Sequence, residues 1–246
     1  MEWRDRGVIL ATRKHGETSV IVEAFTENHG RHLGLIRGGR SRRMAATLQP
    51  GNQVDVVWRA RLEDHLGAFT LESTRDRAAH LLDDRFALDG FLTLAAHVRL
   101  LPERDPHSDL FDQFETVLAV LGTEESGPMM ACFEHDLLAE LGFGLDLSEC
   151  AATGLTDDLR FVSPKSGRAV SERAAAPYEA KLLPLPQFLV DHVTGLIAEG
   201  QLPASDELAE SFRLTGYFLD RHVWQPRRLA PPAERLRFVS RATQQS

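Results

Sequence analysis

The apolar residues of this chain change their period once, near Thr74, and that change limits the architectures open to it. Before it they alternate in short runs, as in half-buried strands. After it they recur every three or four positions, as on amphipathic helices. The early runs span 7–12, 18–26, 30–37, 53–61 and 67–73. They are rich in β-branched and aromatic residues (Val20, Ile21, Val22, Phe25) and separated by turns such as Lys14-His15-Gly16-Glu17 and Asn28-His29-Gly30. A short helix-compatible stretch, 44–48, falls between the third and fourth runs. Five strands with a helix at that place is the element order of an OB-fold. An SH3-like barrel also has five strands, but the long insertion between strands three and four favours the OB-fold.

Beyond Thr74 the spacing predicts helices over 86–100, 110–121 (capped by Asp109), 128–141 (stopped by Gly142) and 186–199 (stopped by Gly200). A last long helix runs from a cap at Ser205 or Asp206 to about residue 223. Residues 148–170 read as irregular, with a hairpin-like segment around Ser163-Pro164-Lys165-Ser166-Gly167, and 227–246 as a trailing segment of partial order. The expected fold is therefore α+β: an OB-fold barrel over 1–80, then an all-helical domain over 81–246 interrupted at 148–172.

Charge divides the same way. The net charge of −8 is the sum of +3 over 1–80, from 13 Lys and Arg against 10 Asp and Glu, and −11 over 81–246, from 15 against 26. An acidic whole argues against a polyanion partner, but the split restores that partner for the barrel. The basic residues concentrate at Arg37-Gly38-Gly39-Arg40-Ser41-Arg42-Arg43, where four arginines fall within seven residues with no acid among them. Arginine offers a planar fork of donors that fits phosphate oxygens, and a glycine pair lets backbone amides come close to an anion. The candidate DNA-binding set is Arg13, Lys14, Arg31, Arg37, Gly38, Gly39, Arg40, Arg42, Arg43 and Arg59, with His32 beside Arg31. The competing reading is a solvated basic turn. Single strands can also stack bases on aromatics, here Trp3, Phe25, Trp58 and Phe69. Trp58, however, shares a strand face with Val54 and Val56 and reads as core, so the arginines are expected to carry any binding.

Catalysis finds no support. G-x-S-x-G, H-E-x-x-H and the phosphate-binding loop are absent; Ser108-Asp109, His107 and His135-Asp136 read as scattered singletons. Glu134, Asp136 and Glu140 read as a solvated acidic helix face. Cys150-Ala151-Ala152-Thr153-Gly154 has the outline of a zinc knuckle whose second cysteine is missing. One cysteine cannot supply four ligands, so no metal and no cofactor are expected. With only Cys132 and Cys150, no disulfide framework exists, and a reducing cytoplasm is the default. No apolar run is long enough to span a bilayer, and the charged start, Glu2-Trp3-Arg4-Asp5-Arg6, does not read as a secretory signal.

Several of these stretches together resemble the RecO family of bacterial recombination mediators. They are Gly7-Val8-Ile9-Leu10 with Arg13 and Gly16-Glu17; Phe25-Thr26 with Gly30; Arg37-Gly38-Gly39-Arg40; Leu48-Gln49-Pro50-Gly51; and Leu110-Phe111. Further along come Phe133-Glu134 with Leu137-Leu138 and Leu141-Gly142, Cys150 with Gly154, and Phe212-Arg213. The resemblance implies an N-terminal OB-fold and a helical C-terminal domain. It implies binding of single- and double-stranded DNA, strand annealing, and help in loading RecA onto strands covered by single-strand binding protein. The implied partners are RecR and the acidic tail of that binding protein, and the implied location is the cytoplasm, with the nucleoid. Many members carry a four-cysteine zinc site; Thr153 in place of the second cysteine resembles the zinc-less branch. The alternative of a different class is a non-catalytic scaffold whose barrel grips protein and not DNA.

Overall fold

The computed structural model describes residues 1–196 and 202–244. Strands β1 (Glu2–His15), β2 (Ser19–Thr26) and β3 (Gly30–Ile36) form an antiparallel meander. Helix α1 (Arg42–Thr47) follows, then β4 (Gln53–Arg59) and β5 (Ala68–Arg75). The strand order β1-β2-β3-β5-β4 returns on itself, because β4 pairs with β5 on one side and with β1 on the other. Only the β3–β5 pairing, Leu35 with Ala68, is parallel. This is the OB-fold arrangement expected from the element order. β1 starts five residues earlier than its apolar run, because Glu2 to Arg6 pair with β4 (Trp3 with Trp58, Asp5 with Val56). Glu2, Arg4 and Arg6 face outward, and these charges conceal the strand character, while Asp5 is turned in and held by Asn28 and His29.

Alternation puts Ile9, Val20, Val22, Ala24, Ile36, Val54, Val56, Trp58, Phe69 and Leu71 inside the barrel, with Leu48 closing it after α1. Trp58 is 2% exposed and donates its indole N–H to the Leu66 carbonyl at 3.0 Å, so it is core, as its face indicated. The opposite face of β2 is buried as well: Phe25 meets Phe111 and Phe114 edge-on, at 5.3 and 5.5 Å.

Those two phenylalanines lie on α4 (Ser108–Val120), which follows α2 (Ala78–Asp83) and α3 (Arg85–Val98). Asp84 caps α3 through the Phe86 amide. The chain divides into two compact units, 1–119 and 120–246, so these three helices belong with the barrel, beyond the composition shift at residue 80. Two-sided burial of β2 accounts for this, since a lone barrel would leave Phe25 in water.

The second unit holds α5 (Ser126–Glu140), the strands β6 (Leu159–Val162) and β7 (Ala169–Ser171), α6 (Glu172–Ala175) and a 3₁₀ turn at Glu179–Lys181. Next come β8 (Leu183–Pro184), α7 (Gln187–Thr194) and α8 (Ser205–Leu219), which continues as a π-helical turn (Asp220–Trp224); α9 (Ala233–Ala242) ends the described chain. The helix expected over 186–199 stops sooner, at Gly195, whose φ of 71° suits glycine. The expected stop at Gly200 lies outside the described residues. The segment 227–246, expected to trail, instead contains α9, which buries Arg235, Phe238 and Ala242. β6 and β7 form the hairpin read at 161–170, with β8 as a third strand on β6. Cys150 is buried and free. Its Sγ accepts hydrogen bonds from the amide and hydroxyl of Ser171, at 3.3 and 3.4 Å. Burial alone would raise this thiol; the Ser171 bonds, with smaller help from Thr153 and the Ala152 amide, instead lower it to about 6. Hydrogen bonds thus hold the turn where a zinc knuckle would use further cysteines.

His32 departs from the basic group in which its sequence neighbours place it. It is 2% exposed inside the barrel, its ring 5.2 Å from Trp3 and 5.1 Å from Trp58. Burial lowers its pKa to about 4, helped by Arg104 and His29 and opposed by Glu103 and the bond to the Leu33 carbonyl. A depressed histidine pKa means that the unfolded chain binds the extra proton between about pH 6.5 and 4. Stability is therefore full above that window and falls as pH drops through it, by about 3 kcal/mol from this residue. His32→Phe should remove most of that slope in denaturant titrations at pH 7 and 4.5. An unchanged difference between the two pH values would rule out His32 as its source.

Candidate nucleic-acid interface

The loop after β3 is docked onto the turn between β1 and β2. Arg40 does this twice: its amide donates to the Thr18 carbonyl at 3.0 Å, and its guanidinium to the carbonyls of Gly16 and Glu17. Gly38, at φ 67°, makes the bend. Gly39 packs against Val20, where a Cβ would sit 3.0 Å from the valine Cβ. The Gly39 amide donates to the Ile36 carbonyl and the Ser41 amide to the Gly38 carbonyl. The glycine pair thus shapes the turn, and these amides are used within it.

Sheet register brings the remaining cations to this end of the barrel. Lys14 is opposite Val20, and Val20 is opposite Ile36, so Arg13 and Lys14 at the end of β1 stand across β2 from the residues leading into Arg37. Arg42 and Arg43 follow the docked loop directly as the first two residues of α1. Arg13, Lys14, Arg37, Arg42 and Arg43 are exposed, and among the described residues none has a carboxylate within ion-pair distance. The result is a positively charged rim with phosphate-matching donors, and Glu17, the acid of the docked turn, is within ion-pair distance of none of them.

Two predicted residues fall outside it. Arg31, at the opposite end of β3, is partly buried and paired with Glu23 at 3.2 Å and Glu103 at 3.3 Å. Arg59 holds Glu2 in a two-pronged bond across β1 and β4, at 2.7 and 3.1 Å. Sequence spacing could not reveal these carboxylates, which arrive through strand pairing and from a distant loop. Nor is an aromatic platform on offer. Trp3 is stacked on His29 at 4.1 Å on one side and on Trp58 at 5.7 Å on the other, while Phe25, Trp58 and Phe69 are buried.

In the second unit, only Glu140 of the acidic face expected on α5 is exposed. Glu134 is fully buried and bound by Arg235 of α9. Asp136 is half-buried between two histidines: His135 Nδ1 is 2.7 Å from Oδ1 and His192 Nε2 is 2.8 Å from Oδ2. The Asp136 hydrogen bond pushes His192 up to about 10, with the Cys132 thiol contributing. Burial would raise Asp136, but its two histidine partners hold it well below the usual carboxylate range. His135 and Asp136, which read as a singleton in the sequence, thus join His192 in one cluster through the packing of α7 on α5. Only the i, i+3, i+4 spacing of Cys132, His135 and Asp136 hinted at it.

Known proteins match nearly the whole chain. Residues 1–75 match the family model "Recombination protein O N terminal", and residues 96–229 match "Recombination protein O C terminal". The chain is 54% identical over 241 residues to the DNA repair protein RecO of Mesorhizobium japonicum, covering 98% of this chain and 93% of that one. The protein of that name from Brucella abortus is also 54% identical, over 98% and 95% of the two chains. The one from Methylorubrum extorquens is 52% identical over the full length of both.

Proposed function

Since the chain belongs to the RecO family of DNA repair proteins, we propose that its barrel rim grips the phosphate backbone of single- and double-stranded DNA and promotes pairing of complementary strands. The observation that carries this reading is the set of five exposed cations, Arg13, Lys14, Arg37, Arg42 and Arg43, gathered beside a docked loop with no carboxylate partner among the described residues. Phosphate contacts of this kind position a strand without reading its bases, so binding is tolerant of sequence. Holding two strands on one surface raises their local concentration, which speeds annealing without any bond being made or broken. In this reading the protein is a mediator and not an enzyme. It helps RecA onto strands covered by single-strand binding protein in the cytoplasm, and its second unit offers the docking platform for RecR and for the acidic tail of the binding protein. No helix among the described residues is long and apolar enough to cross a membrane.

The test is anisotropy of a labelled single strand against salt, paired with an annealing assay with and without single-strand binding protein. Five phosphate contacts predict that log K falls by about 3 to 4 per tenfold rise in salt. Binding absent even at low salt would turn the barrel into a protein-gripping scaffold and end this reading.

A further inference from the structure

Three side chains with metal-binding donors meet in the second unit, with Cys132 one helical turn away. Cys132, His135 and Asp136 share one face of α5, and His192 comes from α7. One donor atom from each of His135, Asp136 and His192 lies within 4.8 Å of the others. The two imidazoles stand almost perpendicular, 88° apart, with centroids 5.9 Å apart. Cys132 lies one helical turn before His135 and Asp136 on α5. His135 is 6% exposed and its Nε2 meets no hydrogen-bond partner. Asp136 engages Nδ1 of His135, and Nε2, on the far side of the ring, is unsatisfied.

We propose that His135, Asp136 and His192, with Cys132 as fourth donor, form a site for a divalent ion of the zinc class that ties α5 to α7. Such an ion takes imidazole, carboxylate and thiolate donors at about 2.0 to 2.3 Å in a tetrahedron. Three donor atoms this close can surround a common point through side-chain rotation alone. The ion replaces the protons that the two rings now share with Asp136 and the proton of the Cys132 thiol, and all of these leave to solvent. Two imidazoles and a thiol select a borderline or soft cation over magnesium or calcium, which prefer all-oxygen sets. The site is separate from the Cys150 turn, whose sulfur is already engaged by Ser171. A zinc ion here would overturn the expectation of a metal-free chain, which counted cysteine ligands and left out the histidines and Asp136.

The full-length protein, freed of metal by dialysis, is titrated with zinc chloride by calorimetry and by thermal melting, with magnesium chloride as control. The expected result is saturable uptake of one zinc ion per chain. At a hundredfold excess over the dissociation constant, the melting midpoint should rise by roughly 5 to 10 °C, with no response to magnesium. His135→Gln, Asp136→Asn and His192→Gln should each weaken zinc binding about tenfold or more, whereas Cys150→Ser should not. Should any of these variants fail to fold, cobalt bound to the unmodified chain still reports the donors. A thiolate-to-cobalt absorption band that Cys132→Ser abolishes supports the site. No saturable zinc uptake, or uptake that survives all three substitutions, overturns it.

Discussion

Glu134→Ala should cost roughly 3 to 5 kcal/mol, the largest single-residue loss expected in the second unit. Glu134 is fully buried on α5 and Arg235, on α9, is 6% exposed. The guanidinium grips both carboxylate oxygens, Nε to Oε1 at 2.6 Å and Nη2 to Oε2 at 2.8 Å. Thr215 of α8 donates to Oε2 at 2.6 Å, and Arg235 Nη2 donates to the Phe212 carbonyl at 3.0 Å. Three helices therefore meet on one ion pair, with the guanidinium also 5.7 Å from the ring centres of Phe212 and Trp224. Removing the carboxylate strands a cation that cannot shed its charge. Typical domains are stable by only about 5 to 15 kcal/mol, so this loss brings the unit close to unfolding. The double variant Glu134→Leu with Arg235→Met should recover most of it, because the cost comes from the unpaired charge more than from the missing attraction. Urea unfolding followed by circular dichroism measures both. A single-variant loss below about 1 kcal/mol would show that the pair is solvated after all.

How much of this was legible in the sequence depends on the distance between partners. The barrel was, because each strand carries its own signal: Val54, Val56 and Trp58 point in and Asp55 points out, whatever pairs with them. The basic rim was legible for the same reason, since Arg37, Arg42 and Arg43 are neighbours in sequence. Arg59 misleads because Glu2 lies 57 positions away, and Arg31 because Glu23 reaches it from the paired strand and Glu103 from 72 positions away. Glu134 reads wrongly as solvated although a signal for its burial exists. It lies four residues after Met130 and four before Leu138, both fully buried, so it falls on the core face of α5 and not on a solvated one. A lone charge in phase with the apolar stripe should be read as buried and paired. The arginine that pairs with it, 101 positions on in a segment without a strong helical signal, is beyond any spacing rule.

The rim makes the second large prediction. Arg37→Ala, Arg42→Ala and Arg43→Ala combined should lower single-strand affinity by roughly one to two orders of magnitude at physiological salt. They should also flatten the salt dependence by about 2, near 0.7 for each phosphate no longer neutralised. All three side chains are exposed, so melting temperature and circular dichroism should stay close to those of the unmodified chain. Arg59→Ala is the control: its charge is already matched by Glu2, and an exposed pair contributes little, so the salt slope should hold. Arg40→Ala separates position from charge. Its guanidinium holds the carbonyls of Gly16 and Glu17, so losing it frees the loop from the β1–β2 turn. Affinity should then fall while the slope changes by less than in the triple variant, because the other cations remain but are no longer held together. If the triple variant keeps the original slope, or Arg59→Ala shifts it equally, the phosphates are being met elsewhere on the chain.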